Sequence, residues 1–214
     1  GKLPDGSDLT RIQDGVNKHR PGYDLTFSAP KSVSMLAMLG GDKRLIDAHN
    51  RAVTVALNQV ESLASTRVKK DGVSETVLTG NLIIARFNHD TSRAQDPQIH
   101  THSVVINATQ NGDKWQTLAS DTVGKTGFSE NILANRIAFG KIYQHSLRAD
   151  VESMGYKTVD AGKHGMWEME GVPVESFSTR SQELREAAGP DASLKSRDVA
   201  ALDTRKSKEA IDPA

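Results

Sequence analysis

The sequence of 214 residues contains no cysteine, and its 27 basic residues are balanced by 27 acidic ones. The absence of cysteine excludes disulfides, cysteine-containing zinc sites and thiol catalysis, and it fits a reducing compartment. A formal net charge of zero gives no general signal for nucleic-acid binding, although a basic groove can exist within a neutral chain. Histidines and carboxylates therefore remain as the candidate groups for chemistry.

Long apolar runs are absent as well. Stretches such as residues 53–57 are far shorter than the roughly 20 residues that span a bilayer, and no signal-peptide pattern opens the sequence. A chain of this length can bury one large core with an appendage. We expect a soluble protein of the cytoplasm.

Hydrophobic periodicity predicts an α+β fold, with a central antiparallel sheet and long helices packed on it. The predicted strands cover residues 23–28, 66–70, 73–79, 82–89 and 98–108. The predicted helices cover residues 31–39, 42–65 and 129–154. Asp71-Gly72 is a hairpin turn signal, Ser129 is the predicted cap of the last helix, and Gly155 is its predicted end.

The last part of the chain differs in composition. Residues 178–214 have helical propensity, many charges and few large apolar residues. We divide the chain into a core of residues 1–177 and a helical flap of residues 178–214 that belongs to the same domain. The flap is either a solvated tail or an arm that clamps a polyanion.

Three histidines form the most informative pattern. His100 and His102 are two positions apart on a predicted strand, so their rings leave the same face. A short hairpin brings His89 opposite to them. Three neutral imidazoles with open coordination positions suit a catalytic divalent cation. The other histidines are interpreted as ordinary core or surface residues.

Asp24, near the start of the first long strand, is the best candidate carboxylate. It could accept the second N–H of a histidine ligand, or take a proton from an attacking hydroxyl. The alternative is a surface aspartate at a strand edge.

Other sites with this chemistry lack residues that they require. Val104 stands where a metallo-β-lactamase pattern needs aspartate, and Ile106 and Asn107 do not supply the glutamate of a cupin. Deaminase and zinc-finger sites need cysteine. Gly124-Lys125-Thr126 is not a phosphate loop, because Ala119 replaces its first glycine.

Two segments resemble motifs of conjugative plasmid relaxases, the relaxase-helicase members of the His-hydrophobe-His endonuclease group. They are PGYDLTFSAPKS at residues 21–32, and HDTSR with DPQIHTH at residues 89–93 and 96–102. The similarity extends through nearly the whole chain. It implies a domain that nicks one strand at a plasmid transfer origin, where a tyrosine attacks the phosphodiester, becomes linked to the 5′ phosphate and releases a 3′ hydroxyl.

The resemblance also implies site residues. His89, His100 and His102 would hold one divalent ion, and Asp24 would be the catalytic aspartate. The expected ion is magnesium or manganese, although an all-imidazole site favours manganese, zinc, nickel or cobalt over magnesium.

The family's nucleophile lies in a tyrosine-rich motif before the aspartate segment. The sequence has only Tyr23, Tyr143 and Tyr156, none of them in such a cluster. We therefore expect that residues 1–214 do not contain the N-terminal tyrosine motif. We also expect that this chain alone binds metal and DNA but does not cut the DNA. The alternatives are a non-catalytic, metal-stabilised module for single-stranded DNA and an unrelated three-histidine metallohydrolase.

Candidate DNA contacts follow from position. Arg136 and Gln144 are eight residues apart on a predicted helix, which puts them on one face, and both residue types can read bases. The candidate phosphate contacts are Arg93, Lys31 and Arg86. The expected partners are single-stranded transfer-origin DNA, accessory relaxosome proteins and a C-terminal helicase region, in the bacterial cytoplasm.

Overall fold

The computed structural model describes residues 2–8, 12–17, 20–121, 123–177, 179, 183 and 186. Within them the chain has a mixed α+β fold with antiparallel sheets, as the sequence predicts. Nearly all of the predicted flap lies outside the described residues, so the division at residue 178 stays a prediction.

The longest strands lie at the centre of the fold. The strands are β1 Ile12–Gln13, β2 Val16–Asn17, β3 Gly22–Ser28, β4 Ser65–Lys70, β5 Val73–Leu78, β6 Ile84–Thr91, β7 Pro97–Ile106, β8 Thr109–Asn111, β9 Lys114–Gln116, β10 Thr158–Asp160 and β11 Trp167–Met169. The central sheet has the order β3-β7-β6, with both pairs antiparallel. The other strands pair two by two as β1-β2, β4-β5, β8-β9 and β10-β11.

Two long helices cover one face of the central sheet. The helices are α1 Lys31–Met38, α2 Arg44–Glu61 and α3 Phe128–Ser153, and a 3₁₀ turn covers Val174–Phe177. Helix α2 packs against α3, and their apolar faces form one core with Phe27, Ile99 and Val105 of the sheet. Within the described part of the chain, no helix is long and apolar enough to cross a membrane.

The turn between β4 and β5 confirms the hairpin prediction. Asp71 has φ of 50° and Gly72 has φ of 83°. Positive φ at both central residues is the conformation that a two-residue turn needs to match the twist of its strands, and Asp-Gly adopts it readily.

The start of α3 corrects a detail of the prediction. Gly127 is the cap residue, whereas Ser129 lies inside the first turn and its hydroxyl is hydrogen-bonded to the hydroxyl of Tyr23. Phe128 is fully buried, so the helix begins with an apolar anchor and not with the polar cap expected from the sequence. The end is as predicted, since Gly155 follows the helix with φ of 94°.

Candidate metal centre

The central strand β7 separates the two faces of the sheet. The odd-numbered side chains from residue 99 to residue 105 are buried against the helices, and the even-numbered ones point to the opposite face. His100 and His102 therefore share that opposite face. His89 on β6 lies directly across from His100 in the antiparallel register, so the predicted hairpin does bring the three histidines together.

A tight connection between β6 and β7 fixes this register. The backbone N–H of Ser92 donates to the carbonyl of Asp96 at 2.8 Å, and the Ser92 hydroxyl accepts from the N–H groups of Ala94 and Asp96. Gln95 has φ of 61°, which turns the chain back. A slip of one residue would move His89 to the other face of the sheet.

The spacing of the three rings fits one metal ion. The ring centroids are 5.1 Å apart for His89 and His100, 5.5 Å for His89 and His102, and 5.4 Å for His100 and His102. Imidazoles bound to one tetrahedral ion through nitrogens at about 2.1 Å have centroids roughly 5 Å apart.

The ring orientations still have to change for binding. The rings of His89 and His100 are nearly parallel, at 21°. Among the described residues, no three His, Asp or Glu side chains are already oriented to hold an ion. The sheet thus gives the three positions, and rotation about the side-chain torsions would have to give the convergence.

Hydrogen bonds fix one nitrogen in two of the rings. His102 Nδ1 donates to Asp24 Oδ2 at 2.8 Å and lies 3.1 Å from the Thr26 hydroxyl. His100 Nδ1 donates to the carbonyl of Gln98 at 3.0 Å. Carboxylate and carbonyl oxygens only accept, so Nδ1 carries the proton and Nε2 keeps its lone pair when these rings are neutral. This is the arrangement by which a partner orients a histidine ligand.

Lys31 has partners of its own. Its side chain is only 15% exposed, its Nζ donates to the carbonyl of Pro97 at 2.9 Å, and Asp96 Oδ2 lies 3.8 Å away. Burial lowers the pKa of Lys31, against the opposing effect of Asp96 and Glu168. Lys31 therefore ties α1 to the start of β7, and a phosphate would have to displace these partners.

Arg86 lies on the other side of the central sheet from the three histidines. It is three residues before His89 on the same strand, so its side chain leaves the other face of the sheet. There it donates to Thr54 Oγ1 at 2.9 Å and to the carbonyl of Asn50 at 3.0 Å, both on α2. Arg86 therefore lies on the face opposite the histidines, and its contact with a DNA phosphate stays a prediction. Arg93 is exposed in the β6–β7 connection, at the end nearer to His89.

Arg136 and Gln144 do not share an exposed face of α3. The correction concerns Gln144, which is buried. Arg136 is exposed, and its Nη1 donates to the carbonyl of Leu133 at 2.8 Å. Gln144 is only 6% exposed because it lies beneath the edge of β3, where its Nε2 donates to the carbonyl of Ser28 at 3.1 Å. Its Oε1 has no hydrogen-bond partner among the described residues.

The three tyrosines lie away from the histidines. Tyr23 points to the helix side of β3, where its ring meets Phe128 edge-on. Tyr143 is buried in the core, which raises the pKa of its hydroxyl. Tyr156 follows the end of α3, and its hydroxyl donates to Oδ2 of Asp42, just before the start of α2, at 2.7 Å.

Comparison with known proteins decides the family. The family model of the TrwC relaxase matches residues 1–214. The chain belongs to the TrwC relaxase family. It is 76% identical over 213 residues to the multifunctional conjugation protein TraI of Escherichia coli, covering 100% of the chain but 12% of that relative.

Solved TrwC structures agree with this relaxase fold. A structure of TrwC with a 27-mer DNA comprising the recognition hairpin and the cleavage site is 33% identical, with a TM-score of 0.80, and the match covers 97% of this chain and 75% of TrwC. A metal-bound structure of TrwC with oriT DNA is 33% identical, with a TM-score of 0.79, covering 98% of this chain and 73% of TrwC.

Sequence reasoning missed the role of His49 in this relaxase domain. The sequence predicts it as an ordinary core or surface residue, and in the structure it is a core residue, 1% exposed. Yet its two nitrogens bond to Tyr143 and to Thr101, the residue between His100 and His102. Thr101 could have indicated such a partner from the sequence. It lies between two candidate ligands on a strand, so its hydroxyl points to the opposite, buried face and needs a hydrogen-bond partner there.

Proposed function

We propose that the chain is the DNA-processing domain of a conjugative relaxase, which nicks single-stranded DNA at a plasmid transfer origin. The observation that carries this proposal is the cluster of His89, His100 and His102 with Asp24 bonded to His102 Nδ1. Family membership supports the same activity. The chain spans 12% of the length of its TraI relative. The activity of a full-length protein of that kind is therefore proposed here for this chain.

The three histidines would hold one divalent ion, His100 and His102 through Nε2. This donor set suits manganese, zinc, nickel or cobalt better than magnesium, which prefers oxygen. When bound, such an ion would supply positive charge that the neutral imidazoles do not reduce, and that charge would offset negative charge on a phosphate. Asp24 holds the His102 ring in the tautomer that leaves Nε2 available.

The reaction needs a tyrosine oxygen that attacks phosphorus and forms a 5′-phosphotyrosine bond while the bond from phosphorus to the 3′ oxygen breaks. The tyrosine proton would pass to a base, and the departing 3′ oxygen would take up a proton to become the 3′ hydroxyl. Asp24 is a candidate for that base, because its side chain is about half exposed on the histidine face. The positions of Tyr23, Tyr143 and Tyr156 give none of them access to that face. That observation favours the second candidate function, a module that binds single-stranded DNA without cutting.

DNA would cross the histidine face of the sheet and pass around the edge strand β3 to reach α3, which packs on the other face. Arg93 is the candidate phosphate contact nearest to the histidines, and exposed Arg136 is the candidate base reader on α3. Gln144 could join it only by exchanging its bond to Ser28. Its Oε1, which has no partner among the residues that the structure describes, would then accept from a base. Accessory relaxosome proteins, a helicase region and the bacterial cytoplasm complete the proposed setting.

Metal titration tests the site directly. We expect equilibrium dialysis with manganese to give about one ion per chain. His100→Ala should weaken binding by more than about 100-fold, because loss of a ligand's hydrogen-bonding partner alone costs about 10–100-fold. Asp24→Asn should fall within that smaller range, since it perturbs His102 and leaves all three ligands in place.

His145→Ala is the matched control, because His145 is exposed on α3 outside the cluster. His164 is less suitable, since its φ of 61° would strain an alanine. Equal manganese affinity in the His100 and His145 variants would refute the metal site. Unchanged affinity in Asp24→Asn would remove the orienting role of Asp24 alone.

A further inference from the structure

A chain of hydrogen-bonded polar side chains lies beneath the three histidines, on the helix side of the sheet. His49, Thr101 and Tyr143 are buried, whereas Asn50 is half-buried and Asn88 is exposed. His49 Nδ1 is 2.7 Å from the Tyr143 hydroxyl, and His49 Nε2 is 2.7 Å from Thr101 Oγ1. Thr101 Oγ1 is 2.8 Å from Asn88 Oδ1, and Asn88 Nδ2 is 3.1 Å from Asn50 Oδ1. We call these five residues the underside network.

The direction of each hydrogen bond in the underside network follows from its chemistry. Asn88 Oδ1 can only accept, so the Thr101 hydroxyl donates to it and must accept from His49 Nε2–H. A neutral His49 then accepts at Nδ1 from the Tyr143 hydroxyl. Burial lowers the pKa of His49 to about 4, which agrees with a neutral ring.

The underside network reaches the backbone beside every proposed ligand. Thr101 lies between His100 and His102, and Asn88 immediately precedes His89. Asn88 and Thr101 are also direct partners in the β6–β7 register. The Asn88–Thr101 pair is therefore adjacent in sequence to all three histidines, and His49 is hydrogen-bonded to this pair from the helix side of the sheet.

Packing alone does not explain these residues. The surrounding core is apolar, and burying a polar network usually gives no more stability than well-packed hydrophobic side chains would give. Hydrogen bonds with a defined donor and acceptor, as from His49 to Thr101 and from Thr101 to Asn88, do favour a single arrangement. Such uniqueness is useful where ligand positions must be held within about 0.5 Å.

We propose that His49 is a positioning residue, which through Thr101 and Asn88 holds β6 and β7 in the arrangement that presents His89, His100 and His102 to a divalent ion. The inference rests on the proposed metal site. It assigns to His49 no contact with metal or DNA.

Calorimetric titration of the full chain with manganese, and the visible spectrum of the cobalt form, test the proposal. His49→Leu should weaken manganese binding by roughly tenfold, at the low end of the range for loss of a ligand's partner, and should alter the cobalt bands. His49→Gln should restore most of the affinity, because its amide can donate to Thr101. Tyr143→Phe, which removes only the hydroxyl bound to His49, should give an intermediate loss.

Val60→Ala is the control for lost stability, since Val60 is fully buried near the end of α2 and outside the underside network. It should lower the melting temperature while leaving manganese affinity unchanged. Equal affinity in wild type and His49→Leu, or equal losses in His49→Leu and Val60→Ala, would overturn the positioning role. Absence of binding in the wild type would instead overturn the metal site itself, and this inference with it.

Discussion

At the scale of single residues, alternation along a strand decides which side chains can act together. Asp24 and Tyr23 are neighbours in sequence, yet Asp24 bonds to His102 on one face while Tyr23 meets Phe128 on the other. The same alternation separates Arg86 from His89. Nearness in sequence is therefore a poor guide to membership of a site on a sheet, whereas parity is a good one.

Arg136 is the residue at which base recognition can be separated from general DNA affinity. Replacing it with alanine should change the relative affinities for single-stranded oligonucleotides that differ at one base, by about 1–3 kcal/mol where a bidentate contact is lost. Arg93→Ala should weaken binding to all of them alike and reduce the salt dependence by about one phosphate contact. Fluorescence anisotropy at several salt concentrations measures both effects.

Arg93→Ala is the control for Arg136→Ala, because each substitution removes one exposed arginine. Both are exposed, so neither substitution creates a cavity in the core. A uniform loss of affinity for every oligonucleotide in Arg136→Ala would mean that α3 contacts only the DNA backbone. Base recognition from that helix would then be excluded at this position.

At the scale of elements, the glycine that caps α3 and the glycine in its interior have opposite requirements. A Cβ on Gly127 would lie 2.6 Å from the Asp121 backbone nitrogen and 2.8 Å from Ser120 Cα, whereas a Cβ on Gly140 would meet nothing within 4 Å. Gly127→Ala should therefore reduce the free energy of unfolding by about 1–3 kcal/mol, as overpacking does. Gly140→Ala should increase it by about 0.5–1 kcal/mol, as expected in a helix interior. Urea denaturation of both variants checks the contrast, and a neutral or stabilising Gly127→Ala would contradict the close approach at the start of α3.

Local patterns predict the elements themselves well. The period of two that predicts a strand at residues 98–108, the Asp71-Gly72 turn and Gly155 at the end of α3 all report local backbone preferences. The structure confirms the turn and the helix end, and it places the strand at Pro97–Ile106. Ser129 as a cap was wrong because the preceding Phe128 is drawn into the core, which starts the helix earlier. Tertiary packing overrode a weaker local preference.

The features that sequence patterns did not reveal depend on contacts between distant segments. Gln144 is buried because α3 crosses beneath the end of β3, 116 residues away in sequence. His49 reaches Thr101 across 52 residues. Helical or strand periodicity gives the face on which a residue lies, but it does not say which element covers that face.

At the scale of the whole molecule, the sheet divides an apolar side from a chemical side. The helices α2 and α3 cover one face together with Tyr23 and Tyr143, and the opposite face presents Asp24 and the three histidines. Tyr156 lies beyond both, bonded to Asp42. Moving Tyr23 or Tyr143 to the histidine face would require unpacking the core, so neither can serve as a nucleophile in the folded chain.

Incubation of these 214 residues with labelled single-stranded transfer-origin DNA and manganese should therefore give binding without a covalent adduct. In-line attack needs an oxygen held close to phosphorus, and each tyrosine hydroxyl of this chain is committed elsewhere. Fusing a segment with paired tyrosines before Gly1 is the positive control, and it should yield both nicking and an adduct that resists denaturation. Mass spectrometry of the unfused chain decides the matter, because a phosphotyrosine at position 23, 143 or 156 would show that the sheet does not separate these tyrosines from the reaction as the fold requires.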